Sequence, residues 1–391
     1  MILFEKALSV VMGNVHKTGT ERAGFRESLG RVLAGDVLSD VDMPPFDKAA
    51  MDGFACRRSD LDSELKLTGV IAAGEVAAAG ISKGECMKIM TGAMLPEGAD
   101  TVIMVEHSRE NKDGYVRFTG SKTMPNIAYR GEDVKRGDPV LKKGTLIKPQ
   151  HIAILAATGC TEPLVAKIPG VSIIATGDEL VDPPEMPGPG KIRNSNGFQL
   201  EAQVRDMNCR VIRSVHVSDR IEDLTRAINS ALDESDVVIV TGGVSAGDFD
   251  FVPGVMRDSN VEILFDKVAV KPGRPTVFGR RGTSRIFGLP GNPVSSFIIF
   301  ETMVKPLLYS MMGYNNESVE DMKPLGIDFK RKKADRMEFL PVRQAGNGEV
   351  VPLEYHGSAH IHAISLSSGL MRIPRGVDLI KKGSLVYVRP V

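Results

Sequence analysis

The sequence predicts a multidomain α/β plus β protein with a doubly wound α/β domain at its centre. The chain has 391 residues, which is enough for two to four domains at about 150 residues each. From residue 168 to 317, apolar runs alternate with helical segments, as in a mostly parallel sheet covered by helices. Short apolar runs separated by turn residues occupy 37–137 and 318–391, and they indicate a β-rich unit on either side.

Composition excludes several classes of protein. Hydrophobic residues make up 42% of the chain and charged residues 25%, as in globular proteins rather than fibrous or disordered ones. Lys plus Arg and Asp plus Glu each number 49. A net charge of zero argues against a general nucleic-acid binder, while it leaves room for a local basic pocket. No apolar run approaches the roughly 18 residues of a membrane span, and the N-terminus does not resemble a signal peptide. We therefore expect a cytoplasmic protein without nucleic-acid or membrane partners.

The cysteines fit the same compartment. Cys56, Cys86, Cys160 and Cys209 form no Cys-x-x-Cys pair and no compact Cys/His group, so neither a zinc module nor a redox dithiol is indicated. We expect four free thiols in a reducing environment.

The N-terminal part is predicted to be a helical unit interrupted by the β-rich stretch. Residues 1–16 carry apolar side chains at helical spacing, and 145–167 are predicted to return to helix, with a helix end at Gly159, a plausible C-terminal cap. Because short strands and turns fill the stretch between these helices, we expect a helical linking domain of 1–36 and 138–167 around an inserted β-rich domain.

Strands and helices alternate in the central domain. The runs GVSIIAT, RVIRSVHV, DVVIVT and VEILFDKVAV predict strands, GFQLEAQVRDMN and IEDLTRAINSALDES predict helices, and PTVFG with SRIFGLPG predicts a hairpin. Asn292 as cap and Pro293 at the first helical position predict the start of the last helix. Beyond it, EFLPVRQ, EVVPLEY, HIHAISL and SLVYVRPV predict the strands of a small barrel or sandwich.

Three glycine-containing turns in the central domain indicate a ligand site. They are Thr176–Glu179, Thr241–Asp250 and Pro290–Pro293. Ligands of open α/β sheets bind at the carboxyl ends of strands, where backbone N–H groups and helix N-termini attract anions. Three such turns favour an anion-binding site over ordinary sharp turns. The candidate residues are Thr176, Gly242, Gly243 and Ser245.

Acidic side chains beside these turns indicate a divalent cation. Mg²⁺ is the simplest choice, since it binds one or two carboxylates together with substrate oxygens. Glu179, Asp248 and Asp250 fit this role. Asp219 is equally a candidate for the site and for a helix N-cap, because Glu222 follows three residues later.

Two lysines are predicted on one face of a strand. Lys267 and Lys271 are four residues apart in the run VEILFDKVAVK, and an even spacing places both side chains on the same side. Two buried cations need anionic partners, either an oxyanion or paired carboxylates. We favour the oxyanion because Arg274 adds a third cation at the strand end.

Other motifs mean little when taken singly. Asp52, Thr91 and Asp133 lie in the turn-rich segments PPFDKAAMDGF, MTGA and RGED, where Asp and Gly occur for local reasons. His360 and His362 have the spacing of two metal ligands on a strand, although exposed strand histidines without a metal are more common.

Taken together, these segments resemble a known family. PPFDKAAMDGFA, IMTGAMLPEGADTVIMVE, RGEDVKRGDPV, ATGDELV, KIRNSN, TGGVSAGDFDFV, VAVKPGRPTVFG and FGLPGNPVSS occur in this order. With this set the chain closely resembles the molybdopterin molybdenumtransferases, the MoeA family, which is also represented by the E domain of gephyrin. TGG-type turns alone are shared with the MogA-like adenylyltransferases.

The resemblance implies an elongated homodimer with a helical and β-rich N-terminal half, a MogA-like α/β domain and a C-terminal β-barrel. The family inserts molybdenum from molybdate into adenylylated molybdopterin with Mg²⁺, which releases AMP and yields molybdenum cofactor. Its active site lies between the α/β domain of one subunit and the insertion of the other. A MogA-like adenylyltransferase is a further expected partner.

The resemblance also assigns residue roles. The implied catalytic acids are Asp52, Asp133, Asp219 and Asp250, and the implied metal ligands are Glu179 and Asp250. The implied substrate-binding residues are Thr91, Lys267, Lys271, Arg274, Pro290, Pro293, Arg343 and Ser358.

The chain departs from the family pattern at a few positions. Lys48 and Ala49 stand where the family commonly has Asn and often has Ser, and Ala128 stands where some members have Arg. Arg130 is a candidate to supply the anion contact that Ala128 lacks. These changes bear on substrate preference more than on activity.

Two other functions stay open beside the transferase. The TGGVS turn also fits a molybdopterin adenylyltransferase, although the β-rich insertion and the C-terminal unit argue against it. A non-catalytic, gephyrin-like scaffold is the third hypothesis, and the intact acids argue against it. Molybdate and tungstate have nearly the same size and charge, so either oxyanion fits the pattern.

Overall fold

The protein consists of three units that follow one another along the chain. The computed structural model describes residues 1–244, 251–314, 320–354 and 357–391. A helical and β-rich N-terminal half is followed by an α/β unit and a β-rich C-terminal unit. This arrangement confirms the predicted fold class.

The N-terminal half surrounds a six-stranded sheet with two helices and several short strand pairs. Short 3-10 turns lie at Arg58–Asp60 and Val105–His107. The other elements are α1 Phe4–Gly13, β1 Thr20–Arg22, β2 Val37–Leu38, β3 Lys48–Ala49, β4 Gly53–Cys56, β5 Glu64–Ile71, β6 Glu85–Ile89, β7 Thr101–Met104, β8 Ser108–Glu110, β9 Tyr115–Phe118, β10 Ile127–Ala128, β11 Pro139–Leu141, α2 Pro149–Ala157 and β12 Leu164–Ala166.

Strand pairing ties the chain before the inserted sheet to the chain after it. The inserted sheet has the order β7-β4-β6-β5-β9-β8, while β1 pairs with β12 and β2 with β11. The predicted opening helix is confirmed as α1, which buries Phe4, Ala7 and Val11 along one stripe. The second helical prediction is only partly right. α2 ends before Gly159, which has a φ of 66°, and the β-branched and apolar residues beyond it form β12 instead.

The α/β unit follows the predicted alternation of strands and helices. A π-helical segment at Phe300–Val304 joins its last two helices. The other elements are β13 Gly170–Thr176, β14 Leu180–Val181, β15 Ile192–Arg193, α3 Asn196–Asp206, β16 Arg210–Val217, α4 Ile221–Glu234, β17 Val237–Thr241, α5 Val252–Asp258, β18 Glu262–Phe265, β19 Val270–Lys271, β20 Val277–Arg281, β21 Ser284–Leu289, α6 Pro293–Ile299 and α7 Lys305–Met311.

The main sheet of this unit has the strand order β16-β13-β17-β21-β20-β18. β16, β13, β17 and β21 are parallel, and β20 and β18 add an antiparallel edge. Every residue of β13 is buried, as expected for a parallel strand covered on both faces. The chain leaves β13 toward β16 and returns to β17 on the other side, so the strand order reverses between β13 and β17. Such a reversal opens a crevice at the carboxyl ends of the strands.

Two details of the α/β unit differ from the prediction. VEILFDKVAV is not one strand, because β18 ends at Phe265 and β19 belongs to the C-terminal sheet, where it pairs with β24 (Met337–Gln344). Between them, Val268 forms a bridge to Ile2, which draws the chain out of the first sheet. Asn292 occupies the N-cap position of α6 but makes no side-chain capping bond.

The C-terminal unit is a small barrel. Its elements are β22 Asp321–Pro324, β23 Phe329–Lys330, β24 Met337–Gln344, β25 Val350–Pro352, α8 His362–Ser365, β26 Gly369–Ile373, β27 Leu379–Ile380 and β28 Leu385–Pro390. The order β24-β26-β28-β22 is closed by β25, which pairs with β24 and bridges to Leu325 just after β22.

The segment HIHAISL does not form the predicted strand. Residues 357–361 form turns, and His362 begins the single helical turn α8. The physical reason is a contact outside the barrel: the carbonyl of Ser358 accepts a hydrogen bond from the N–H of Val294 at 3.1 Å. This bond holds the segment against α6 and away from the barrel strands.

One continuous apolar core links the three units. It includes Phe4 of α1, Ile173 of β13, Phe300 of the π-helical segment and Phe339 of β24. The rings of Phe4 and Phe339 lie 5.2 Å apart between centroids, within the range of favourable aromatic pairs. The first helix therefore packs directly on the barrel.

The four cysteines are free, as predicted. Burial raises the pKa of the Cys56, Cys86 and Cys209 thiols to about 12. These thiols therefore stay protonated at neutral pH, which suits packing rather than chemistry. In the part of the chain that the structure describes, no helix is long and apolar enough to cross a membrane.

Ile239, at the middle of the central strand β17, is fully buried. We expect Ile239→Ala to lower the free energy of unfolding by about 2–5 kcal/mol, because the deletion leaves a cavity between sheet and helices. Urea unfolding followed by far-UV circular dichroism measures the loss. Ile221→Ala is the control, since Ile221 is 51% exposed and its truncation should change stability by less than about 0.5 kcal/mol. Equal losses for both variants would contradict this assignment of the core.

Candidate active site

The turns after β13 and β17 approach each other closely at the crevice. Gly242 has a φ of 102°, a conformation that L side chains rarely adopt. A Cβ atom on Gly242 would lie 2.2 Å from the carbonyl oxygen of Thr176. Only glycine therefore allows this approach, which accounts for the first glycine of the TGG motif.

Asp219 fixes the turn after β13. The Thr176 hydroxyl donates to Oδ1 of Asp219 at 2.7 Å, and the Asp178 N–H donates to its Oδ2 at 3.3 Å. In return, the Asp219 N–H donates to Oδ1 of Asp178 at 3.1 Å. The N-cap alternative for Asp219 is wrong, because α4 starts at Ile221 and Arg220 occupies the cap position. The carboxylate belongs to the crevice instead.

A cavity of about 330 Å³ lies at these strand ends. It brings together four residues that the sequence predicted for the site: Thr176, Glu179, Gly242 and Pro293. Gly291 and Asn292, at the start of α6, also line it. Within the described residues, the N–H groups of Gly291 and Asn292 donate to no protein acceptor, so they are available to an anion. The Gly242 N–H is not, because it donates to the carbonyl of Leu289 at 3.2 Å.

Asn196 connects two of the turns from the start of α3. Its Nδ2 donates to the Thr241 hydroxyl at 3.0 Å and to the Gly291 carbonyl at 2.8 Å. The side chain is buried and lines the cavity. Sequence reasoning assigned it no role, although its segment KIRNSN was part of the family pattern. The sequence feature that could have indicated this role is a polar residue at the start of an otherwise amphipathic helix.

The remaining turn residues lie close to the cavity or outside the described part of the chain. The carbonyl of Pro290 accepts from the Thr241 hydroxyl at 3.3 Å. Ser358 reaches the start of α6 through its carbonyl, and the adjacent Ala359 lines the cavity. Gly243 follows Gly242 with a φ of 59°. Ser245, Asp248 and Asp250 lie outside the described residues.

The predicted lysine pair is arranged differently from the expectation. Because β18 and β19 belong to different sheets, Lys267 and Lys271 do not share one face of a strand. The Lys271 ammonium lies 2.8 Å from the Glu338 carboxylate, which is the paired-carboxylate alternative. Arg274 is exposed, and its carbonyl accepts from the N–H of Val268 at 2.9 Å. Arg343 is exposed on β24 and does not line the cavity.

A second group of predicted residues lies in the inserted sheet. Both the N–H and the hydroxyl of Thr91 donate to Oδ1 of Asp52, each at 2.6 Å. These two bonds hold the pKa of the Asp52 carboxyl below its usual value. Asp133 is exposed. Three residues earlier, the side chain of Arg130 forms an ion pair with Asp42 at 2.6 Å. None of Asp52, Thr91 and Asp133 lines the cavity.

Thr91→Val removes the hydroxyl bond to Asp52 but keeps the backbone bond. Because hydrogen bonds to the ionised carboxylate lower its pKa, we expect the midpoint of Asp52 to rise toward the ordinary value. Carboxyl ¹³C NMR across pH 2 to 6 measures it. In the control Thr225→Val, the lost hydroxyl bonds to the carbonyl of Ile221 in its own helix, so the Asp52 midpoint should not move. An unchanged midpoint in Thr91→Val would contradict the assignment of the lowered Asp52 pKa to the Thr91 hydroxyl bond.

Comparisons with known proteins cover nearly the whole chain. Residues 2–159 match the family described as MoeA N-terminal region (domain I and II), residues 172–310 match a probable molybdopterin binding domain, and residues 324–391 match the MoeA C-terminal region (domain IV).

Curated relatives and solved structures agree with these matches. The molybdopterin molybdenumtransferase of Staphylococcus epidermidis is 35% identical over 373 residues, covering 93% of this chain and 89% of that protein. The protein of the same name from Staphylococcus aureus is 36% identical over 375 residues, with the same coverage of 93% and 89%. The crystal structure of the molybdopterin biosynthesis MoeA protein from Pyrococcus horikoshii OT3 is 31% identical and covers 100% of both chains with a TM-score of 0.87. The chain therefore belongs to the MoeA family of molybdopterin molybdenumtransferases.

Proposed function

We propose that this protein inserts molybdenum from molybdate into adenylylated molybdopterin and releases AMP, the last step of molybdenum cofactor biosynthesis. The observation that carries the proposal is the cavity at the reversal of strand order, where the N–H groups of Gly291 and Asn292 have no acceptor among the described residues. Those donors suit an anionic substrate. The substrate is taken from the relatives that share at least a third of this sequence and carry this activity in their names.

The crevice residues orient the substrate rather than react with it. The Thr176 hydroxyl donates its hydrogen bond to Asp219, so the lone pairs of its oxygen can accept from a donor group of the bound pterin. Asn196 holds Thr241 and Gly291 at fixed positions, which sets the distance between two walls of the cavity. Such preorganised dipoles stabilise charge that develops during the reaction without having to rearrange.

Glu179 fits the role of a magnesium ligand. Its carboxylate folds back over Gly177, where a Cβ atom would lie 2.5 Å from Oε2, and it makes no hydrogen bond within the described residues. A single carboxylate on a cavity wall matches the way Mg²⁺ binds proteins, with substrate oxygens as further ligands. A Mg²⁺ ion held by Glu179 would supply positive charge that offsets the negative charge of the substrate's phosphate oxygens. The other implied ligand, Asp250, lies outside the described residues.

The active site is completed by a second subunit in this proposal. Asp52, Thr91 and Asp133 do not line the cavity of their own chain. Asp52 is nevertheless exposed, and the Thr91 bonds hold the pKa of its carboxyl below the usual value. A homodimer that places the inserted sheet of one subunit against the cavity of the other would bring both groups together. The hypothesis of an adenylyltransferase accounts only for the α/β unit. The hypothesis of a non-catalytic scaffold does not explain why these carboxylates are arranged in this way.

Mixed dimers test the function and the shared site together. Asp52→Asn and Glu179→Gln should each abolish molybdenum insertion and AMP release. In a random mixture of the two, half of the dimers are mixed, and each of these has one intact site, so activity should return to about a quarter of the wild-type value. Assays of AMP release and pterin-bound molybdenum measure the recovery.

A matched variant controls for the loss of a carboxylate. Glu185 is exposed in the loop between β14 and β15, so Glu185→Gln should retain full activity. If the Asp52 and Glu179 variants gain no activity on mixing, the shared site is wrong. If both variants are as active as wild type, the assigned residue roles are wrong as well.

A further inference from the structure

A second cluster of charge lies outside the cavity at the strand ends. The segment 330–336, KRKKADR, connects β23 to β24 and has four consecutive cations. Together with Lys271 it lines a cleft of about 480 Å³, which we call the basic cleft. Six cationic side chains and two carboxylates line it, so its net charge is +4. In a chain whose total charge is zero, this is a strong local concentration of positive charge.

One of these cations holds the segment in place. Arg331 is buried, and its guanidinium donates to the carbonyls of Val377 and Pro374 at 2.6 Å and of Arg336 at 3.0 Å. It also lies 3.2 Å from the Glu338 carboxylate. A planar guanidinium with this many acceptors is rigid. These bonds anchor the segment at Arg331, and the lysines on either side of it are exposed at the surface.

Glu338 connects the segment to Lys271. Its buried carboxylate lies between Arg331 and Lys271, at 3.2 Å and 2.8 Å. Because one carboxylate neutralises only one of the two cations, the Lys271 ammonium keeps part of its charge for a ligand. Its side chain is 51% exposed, so a small anion in the cleft can reach it.

Three lysines of the cleft are not neutralised. Lys330, Lys332 and Lys333 are exposed, and within the described residues no carboxylate lies within 4.0 Å of their ammonium groups. Three exposed cations close together on one segment create a positive potential that attracts anions into the cleft. The cleft therefore fits a compact, doubly charged oxyanion better than an uncharged ligand.

We propose that Lys330, Lys332 and Lys333 capture molybdate from solution and deliver it to Lys271. The inference rests on the proposed function, since molybdate is the small dianionic substrate of that reaction. Clefts lined by one sign of charge raise the local concentration of a substrate ion and its association rate, by factors of about 10 to 1,000. The three lysines act before the chemistry and contact the substrate only transiently. Their removal should change molybdate capture without changing the catalytic step.

The test variant carries Lys330→Gln, Lys332→Gln and Lys333→Gln. At an ionic strength of about 10 mM the Debye length is roughly 30 Å, so the charges of the cleft act on an approaching anion with little screening. Under these conditions we expect kcat/KM for molybdate to fall by about fivefold or more. We expect kcat at saturating molybdate to stay unchanged. The decline of kcat/KM with added salt should also become shallower than in the wild type.

The control variant carries Lys112→Gln, Lys142→Gln and Lys143→Gln. These lysines are exposed and do not line the cleft, and the change in net charge is the same. Their replacement should leave kcat/KM for molybdate and its salt dependence as in the wild type. An equal loss in test and control variants would overturn the proposal, because the effect would then come from net charge alone. A loss confined to kcat/KM for adenylylated molybdopterin would overturn it as well.

Equilibrium dialysis against molybdate, without pterin, separates this inference from the proposed function. At low ionic strength the wild-type protein should retain more molybdate than the test variant and as much as the control. If the wild type shows no molybdate-dependent AMP release but this difference persists, the proposed reaction fails while capture by the cleft is upheld. Equal retention by wild type and test variant would overturn capture, whatever the activity.

Discussion

The contact between Gly242 and the Thr176 carbonyl is the constraint on which the site depends. Adjacent parallel strands β13 and β17 end at the same level, and their turns can meet only if one residue has no side chain and a positive φ. The close approach brings Thr176 and Thr241 to one cavity. Asp219, in the loop after β16, and Asn196, at the start of α3, then hydrogen-bond to these two threonines. The positions of the cavity walls follow from that single approach.

Charge is distributed around this framework in two separate places. Glu179 lines the crevice and Asp219 accepts from the Thr176 hydroxyl beside it, while backbone N–H groups without a protein acceptor among the described residues lie at the start of α6. The excess of cations lies in the basic cleft, where the C-terminal barrel meets Lys271. The crevice and the basic cleft thus have no lining residue in common. The central core that includes Phe4 and Phe339 keeps these surfaces in a fixed relation.

Local sequence patterns predicted the features that depend on neighbouring residues. β-branched runs such as GVSIIAT are buried strands, and the glycine turns after them meet at the strand ends as expected. The predictions that are wrong concern segments whose structure depends on contacts with residues far away in the sequence. The alternation of apolar and polar residues predicts one strand that carries both Lys267 and Lys271. It does not report the bridge between Val268 and Ile2, which separates β18 from β19. A bond to Val294 keeps the segment after Ser358 out of the barrel. The role of Asn196 depends on partners 45 and 95 residues away, and no local pattern reports them.

Molybdenum insertion at the crevice is tested by following AMP release and pterin-bound molybdenum in one reaction. Purified protein is mixed with adenylylated molybdopterin, Mg²⁺ and low molybdate, and both products are quantified over time. We expect the two products to appear in step and neither to appear without molybdate. We also expect Gly242→Ala to abolish both, because its methyl group would clash with the Thr176 carbonyl and force the two turns apart. Binding of the adenylate without turnover, or AMP release that does not require molybdate, would contradict molybdenum insertion at the crevice.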